Sequence, residues 1–424
     1  MKPLKQGIIV SSSDLRPSLM SILKGLEEAG LLKKVVTTIA VDPDGVFGRF
    51  LKLSCRLLPW RLTRGIERRF LPVFLKGKVK AFYFAELIRL FANRIGAALL
   101  AHNIWLWAEL RFDRKVARRY AGIYECVYGM EHSSLETFKK QKKSGGLCIL
   151  RQVVPHGRIT SEVINREIVK FPEYDCLYYR IFPKDQARSL ARKEAEYRLA
   201  DLIVANSDFV RESFLEAGFP ADKIVSIPTG CPSVAKVLAN AGSGQEPLNF
   251  LFAGTLSLRK GLPYLVKAWN LFKPGKAARL WLAGGNDLKS VNFNDPQAGI
   301  YQLGALNHKE LKIRYAQADV FVLPTLLEGL AHVLLEALAA GLPVITTRES
   351  GCGDLVEQGK NGILVKSASA EALADAMRWC LENRRELRSF GERSALKARA
   401  WTVEDSNYAH LELVKRFLKD RLAI

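Results

Sequence analysis

The stretch from Ala318 to Thr347 limits the folds open to this chain more than any other. Ala318-Asp319-Val320-Phe321-Val322-Leu323 is a short strand-like run, and Pro324 stops it. The spacing predicts a helix from about Leu330 to Ala340, closed by Gly341 and followed by Pro343. Val344 to Thr347 then reads as another strand. The helix is apolar nearly all round and is expected to be buried. Yet Glu336 stands in its middle and Glu328 just before its start. A carboxylate in an apolar helix is costly unless something pairs with it. At a helical rise of ~1.5 Å per residue the two lie up to ~12 Å apart. Between them the N–H groups of Leu330, Ala331, His332 and Val333 open the helix as an anion site.

At 424 residues the chain is long enough for two domains. No run of eighteen or more uncharged apolar residues occurs, so no spanning helix is expected. The segment Met1 to Gln6 lacks a signal-peptide core and leads into a strand at Gly7–Val10. Seven Cys, odd in number and without a C-x-x-C, argue for a reducing compartment and against a zinc site. The net charge of +21 is uneven. Residues 1–225 hold 39 Lys and Arg against 24 Asp and Glu, and the remainder 25 against 19. The first half is therefore expected to meet something anionic.

In chain order, a helix at Ser18–Ala29 and a strand at Val35–Val41 follow the first strand. That spacing suggests a doubly wound sheet. Arg49 to Lys80 carries ten Lys or Arg against the single acid Glu67, interleaved with Trp60, Phe70 and Phe74. Ala81–Leu110 reads as an amphipathic helix. Ile123–Tyr128 reads as a third strand, with Glu131-His132 in the loop after it. Ser134–Lys143 reads as a helix, and Leu147–Val154 as a strand ending at Pro155-His156-Gly157. Leu190–Ala200 is a charged helix, Leu202–Ala205 a strand, and Ser207 a candidate N-cap for the next helix. The Gly/Ser-rich stretch 239–247 is the linker candidate. The second half restarts with a strand at Leu248–Ala253 and the turn Gly254 to Gly261. Further strands fall at Arg279–Ala283 and Ile300–Leu303, with helices at Pro263–Leu271, His308–Ala316, Ala370–Glu382 and Val403–Leu418. Two cations, Arg259 and Lys260, follow the first of these strands, where open α/β sheets bind ligands.

Glu328-Gly329, six more residues, then Glu336-Ala337 resembles the E-x7-E signature of the family 4 (group 1) retaining glycosyltransferases. The resemblance covers about residues 190–400 and is weaker over 1–190. It implies the GT-B fold, an α/β architecture of two Rossmann-like, doubly wound parallel-sheet domains with an interdomain cleft. Residues 1–238 would be the acceptor-binding domain, with the helix in 401–424 packing back on it, and 248–400 the nucleotide-sugar domain. The ~12 Å between the two Glu is roughly the span from a hexose across a diphosphate to a ribose. By resemblance Glu328 faces the donor sugar, Glu336 holds the ribose, and Arg259 with Lys260 holds the diphosphate. Gly304, Ala305 and Leu306 would meet the base, while Gly254 and Gly329 line the donor. A first-domain His would reach the sugar, and His156 is the leading candidate with His132 behind it. His332 stands where the family more often has a small or apolar residue. The competing reading of Glu336 is a structural carboxylate paired with an Arg, and of Arg259-Lys260 a solvated basic loop.

The implied reaction moves a sugar from a nucleotide-sugar donor to a glycan or lipid-linked acceptor with retention, in cell-surface polysaccharide or lipopolysaccharide synthesis. No metal is expected, since Arg259 and Lys260 could replace Mg²⁺. Asp42-Pro43-Asp44 resembles a D-x-D metal motif of another glycosyltransferase fold but reads as a turn. The sequence lacks G-x-G-x-x-G after a strand, which argues against a dinucleotide oxidoreductase. A GT-B epimerase or phosphorylase, and a non-catalytic nucleotide-sugar or nucleic-acid binder, are the alternatives. The paired Glu argue against nucleic acid. Arg49–Lys80 fits a cytoplasmic protein lying peripherally on the anionic inner face of the membrane. A solvated basic face or an anionic-glycan site would have the same composition.

Overall fold

The computed structural model describes residues 3–15, 17–45, 48–50, 53, 69–82, 88, 98–174, 177–233, 247–286, 288 and 291–422. Most of Arg49–Lys80 and nearly all of the proposed linker lie outside these.

The first sheet is built from β1 (Lys5–Ser11), β2 (Leu32–Thr37), β3 (Val79–Ala81), β4 (Tyr124–Met130), β5 (Leu147–Gln152), β6 (Leu202–Ala205) and β7 (Ile224–Ser226). Its order is β3-β2-β1-β4-β5-β6-β7, and the pairings from β3 through β5 are parallel. Ile8, Ile9, Val10, Val35 and Val36 are fully buried, as an apolar run covered on both faces requires. The second sheet comprises β8 (Leu248–Ala253), β9 (Ala278–Ala283), β10 (Ile300–Gly304), β11 (Val320–Leu323), β12 (Val344–Thr346) and β13 (Gly362–Leu364). Its order is β10-β9-β8-β11-β12-β13, all parallel. In both sheets the order reverses beside the first strand: between β1 and β4 in one, and between β8 and β11 in the other. Those are the switch points at which such sheets bind ligands.

The helices, in chain order, are α1 (Pro17–Glu28), α2 (Ala98–Arg119), α3 (Leu135–Lys143), α4 (Gly157–Lys170), α5 (Leu177–Leu199), α6 (Asp208–Glu216), α7 (Leu262–Phe272), α8 (His308–Gln317), α9 (His332–Ala339), α10 (Ala370–Glu382), α11 (Arg384–Arg399) and α12 (Val403–Leu422). Residues 1–152, 183–204 and 407–424 form one compact unit, and 153–182 with 205–406 the other. Residues 153–182 therefore pack with the second sheet. The buried Glu167 of α4 accepts from the Tyr264 hydroxyl of α7 at 2.5 Å. Among the described residues no helix is long and apolar enough to cross a membrane.

Several local expectations are corrected. The second strand ends at Thr37 rather than Val41, because the Thr38 amide turns to the Ser13 carbonyl. Val79–Ala81, read as the end of the basic stretch and the first residue of the helix at Ala81–Leu110, is a strand, and α2 runs on to Arg119. The whole of α4 lacks a counterpart in the sequence reading.

Candidate active site

β8 delivers its fully buried Phe250, Leu251 and Phe252 into the core and stops at Gly254, whose φ is +142°. The Gly254 amide donates to Ala283, and the Gly284 amide to Gly304, so the ends of β8, β9 and β10 are stitched side by side. A Cβ on Gly284 would lie 1.7 Å from the Gly254 carbonyl oxygen, so only glycine fits there. Beyond Gly254 the chain buries Leu256 and Leu258 and makes one 3-10 turn, Leu258–Lys260. Gly261 ends the turn in the left-handed region, at φ +72°. A side chain there would collide with the Pro324 carbonyl oxygen at 1.8 Å. The turn thus abuts the segment leaving β11. The Leu326 amide and the Thr325 hydroxyl both donate to the Arg259 carbonyl at 2.9 Å.

This stitching across the switch point brings three of the sequence candidates together. Glu328 Oε2 lies 3.0 Å from Arg259 Nη1 and 2.6 Å from Lys260 Nζ. Burial opposes ionisation of Glu328, but Arg259 and Lys260 outweigh it and hold the carboxyl below its ordinary range. Lys260 is 8% exposed. Burial lowers its amine pKa, Glu328 pulls the other way, and Arg259 adds to the lowering. The group is an ion pair with a second, more exposed cation beside it. It has spare donors for an anion, since each cation offers more N–H bonds than Glu328 accepts.

The loop carrying Glu328 is held from two sides. Its amide donates to the Glu349 carbonyl, and the Ala331 amide to the Ser350 carbonyl. The Ser207 hydroxyl, which also caps α6, donates to the Gly329 carbonyl at 2.5 Å. A Cβ on Gly329 would sit 1.8 Å from the Val153 carbonyl oxygen. Two expectations change here. α9 begins at His332, not Leu330, and the Ala331 amide is already bonded. Glu328 therefore lies in a loop outside the helix, and helical rise does not set its distance from Glu336.

His332 is exposed at the first turn of α9, with Val333 half-buried beside it. Glu336 accepts from the Tyr315 hydroxyl at 3.1 Å, and the same hydroxyl bonds to the Val333 carbonyl. Burial raises the Glu336 pKa, against the Tyr315 bond and the charges of His308 and Lys312. The partner is thus a phenol rather than the Arg of the competing reading. Nothing in the sequence ties Tyr315 to Glu336, because their meeting depends on how α8 packs against α9. Gly304, at φ +70°, leads to exposed Ala305 and partly buried Leu306 at the end of β10. Leu330 and Ala331 are buried.

The two His candidates stand in different surroundings. His156 is fully buried and caps α4, its Nδ1 accepting from the Arg158 amide at 3.3 Å. Its ring meets Phe214 edge-on, with Phe219 tilted beside it. His132 follows β4 at the switch point of the first sheet, with a φ of +72°. Its amide donates to Glu196 at 2.6 Å, and its carbonyl accepts from Arg192 at 2.9 Å. The ring stacks on Trp105 at 5.3 Å. Burial, then Lys193 and Arg192, push its pKa down to about 4. A non-glycine residue clamped in the left-handed region beside a sheet's switch point marks a functional candidate.

Comparison with known proteins bears on this arrangement. Residues 236–397 match the family described as glycosyl transferases group 1. This segment is a group 1 glycosyl transferase domain. The transferase domain contains Arg259, Lys260, Glu328 and Glu336. The chain is 28% identical over 203 residues to the amylovoran biosynthesis glycosyltransferase AmsK of Erwinia amylovora, covering 45% of this chain and 48% of AmsK. It is 30% identical over 190 residues to the putative colanic acid biosynthesis glycosyltransferase WcaL of Salmonella typhimurium, covering 42% and 47%. The chain spans about half the length of these curated relatives. Among solved structures, Anabaena HepE in complex with UDP and glucose superposes with a TM-score of 0.60 at 15% identity, covering 97% of this chain and 100% of that one. The lipopolysaccharide outer core galactosyltransferase WaaB gives the same values. The glycosyl transferase domain and the sheet before it thus have the GT-B architecture of two doubly wound parallel sheets.

Proposed function

We propose that the chain is a retaining glycosyltransferase of family 4. It takes a sugar from a nucleotide-sugar donor, a UDP-sugar first among the candidates, onto a glycan or lipid-linked acceptor in cell-surface polysaccharide or lipopolysaccharide synthesis. The observation that carries this reading is the Arg259–Glu328–Lys260 cluster at the switch point of the second sheet. Anabaena HepE, similar in fold and solved with UDP and glucose and with UDP-glucose, supports the donor class. The names of AmsK, WcaL and WaaB support the acceptor class.

In this reading Arg259 and Lys260 hold the diphosphate and stabilise the charge that grows on it as the C1–O bond breaks. The acceptor hydroxyl, bound by the first unit, forms the new bond to C1 on the same face. Its proton passes to the departing diphosphate oxygen, so no protein nucleophile is needed. Glu328 faces the sugar and fixes both cations. Glu336, steadied by Tyr315, holds the ribose hydroxyls. With two fixed cations at the diphosphate, catalysis proceeds without a divalent metal.

The test is a panel of UDP-, GDP-, ADP- and dTDP-sugars, read by thermal shift and by release of nucleotide, with EDTA and Mn²⁺ arms. Arg259→Ala and Lys260→Ala are each expected to lose about 2 kcal/mol or more in kcat/KM. Wild-type kcat/KM in both variants would sink the diphosphate role. Activity abolished by EDTA and restored by Mn²⁺ would refute metal independence.

A further inference from the structure

Partly buried cations on α5 of the first unit are paired with acids. Arg192 contacts Asp113 at 2.5 Å and Glu196 at 3.7 Å, and Lys193 contacts Glu131 at 3.0 Å. Arg151, near the end of β5, departs from that pattern. It is 4% exposed, no hydrogen bond or ion pair reaches its side chain among the described residues, and its Nη1 is enclosed without a partner.

Its neighbours do not neutralise it. Tyr128, on β4, is buried, and its hydroxyl lies 2.9 Å from Nε2 of His410 on α12. Burial and the charge of Arg151 keep His410 well below an ordinary imidazole pKa, so it is neutral. Its Nδ1 is also buried and unpartnered. A neutral imidazole carries one N–H. When the Tyr128 hydroxyl donates to Nε2, that hydrogen is on Nδ1. Among the described residues the cluster then holds a guanidinium and an N–H donor, with no acid paired to either. A buried charge without a partner destabilises the fold. Its retention points to a partner arriving from outside. The place agrees, because the carboxyl ends of strands are where open α/β sheets bind ligands.

We propose that Arg151, with Nδ1 of His410, is an oxyanion subsite of the first unit that takes a phosphate group of the acceptor. The planar guanidinium presents paired donors to such a group. With 4% exposure it offers only an edge, suited to one small oxyanion rather than to a polyanion. That the phosphate belongs to an acceptor rests on the transferase reading. That the site binds an oxyanion does not.

The experiment compares thermal unfolding of the full chain in inorganic phosphate, acetate and chloride at fixed ionic strength, for wild type, Arg151→Met and Arg151→Lys. Phosphate is expected to raise the wild-type Tm more than that of Arg151→Met, with Arg151→Lys between them. Binding at Arg259 and Lys260 adds equally to all three and cancels in the comparison. In chloride, Arg151→Met is expected to melt at or above the wild type, because a lone buried charge has been removed. UDP binding, measured by calorimetry, is expected to be unchanged in Arg151→Met, which separates this proposal from the donor-site reading. An equal phosphate shift in all three proteins, or none in wild type, would overturn the subsite. Melting of Arg151→Met far below wild type in chloride would make Arg151 structural and overturn it too. A larger shift with acetate than with phosphate would overturn the phosphate assignment.

Discussion

Two carboxylates on neighbouring elements of the second unit are tuned in opposite directions. Glu328 is kept ionised by two cations against its burial, whereas burial raises the pKa of Glu336 and its hydrogen-bond partner is a phenol. A carboxylate paired with cations serves as a fixed charge, and one that meets hydroxyls serves to hold hydroxyls. Glu336→Gln is therefore expected to weaken binding of the free nucleotide about tenfold, the loss of a charged hydrogen bond. Calorimetric titration checks it, and unchanged affinity would remove the ribose role. His132 gives a pH prediction. Its folded pKa of about 4 lies below the ordinary 6.5. Above pH 6.5 both folded and unfolded states hold it neutral. As pH falls from 6.5 toward 4 only the unfolded state takes up the proton, so stability is lost across that window, by up to about 3 kcal/mol. His132→Asn, which tolerates the left-handed backbone, is expected to flatten this part of the stability–pH curve. A curve as steep as that of wild type would show that His132 is not the group responsible.

The active elements are short turns wedged between strand ends. Arg259 and Lys260 sit on a single 3-10 turn that touches the β11 exit only because Gly261 lacks a side chain. Gly261→Ala adds a left-handed strain of more than about 1 kcal/mol and a collision with Pro324. It is expected to lower the unfolding free energy by more than that amount and to cut kcat/KM as sharply as Lys260→Ala, although it removes no charged group. Full activity in a folded Gly261→Ala protein would show that the turn's contact with Pro324 is dispensable. α3 in the first unit is anchored by a comparable economy of parts. Its first amides are met by Asp113 of α2 and Glu196 of α5, so carboxylates from two other helices replace a local cap.

For the molecule as a whole, the excess of positive charge over residues 1–225 asks for an anionic surface. Described parts of the first unit add to it. Leu100 and Trp107 are exposed on α2, and Arg111 lies over the Trp107 ring at 5.2 Å. Each Lys or Arg near an anionic bilayer contributes about 1 kcal/mol. Co-sedimentation with vesicles is expected to rise with anionic-lipid content and fall with salt. It is also expected to weaken when Arg61, Arg64, Arg68 and Arg69 become Ser. Binding that ignores lipid charge, or that survives the quadruple change, would return Arg49–Lys80 to an ordinary solvated face.

Local signals in the chain placed β8 to β12 of the second sheet to within about two residues, but not its edge strand β13, for which the sequence shows only a turn at Asn361-Gly362. The strand at Leu248–Ala253 and the helices from His308 and Ala370 follow from apolar period, caps and breakers, all of which act over a few residues. The same signals singled out Arg259, Lys260, Glu328 and Glu336. α4 escaped because its N-cap is a histidine rather than Ser, Thr, Asp or Asn, and β3 because three residues carry too little pattern. Tertiary packing alone decided that Glu328 closes on both cations from a loop, and that Tyr315 rather than an Arg meets Glu336. It also decided that His132 is clamped by Arg192 and Glu196, while the Arg151 side chain has no counter-charge among the described residues. Each of those contacts joins residues tens of positions apart. A charge's partner is set by which strand ends and helices lie side by side, and that adjacency is a property of the packed sheet rather than of any short stretch of chain.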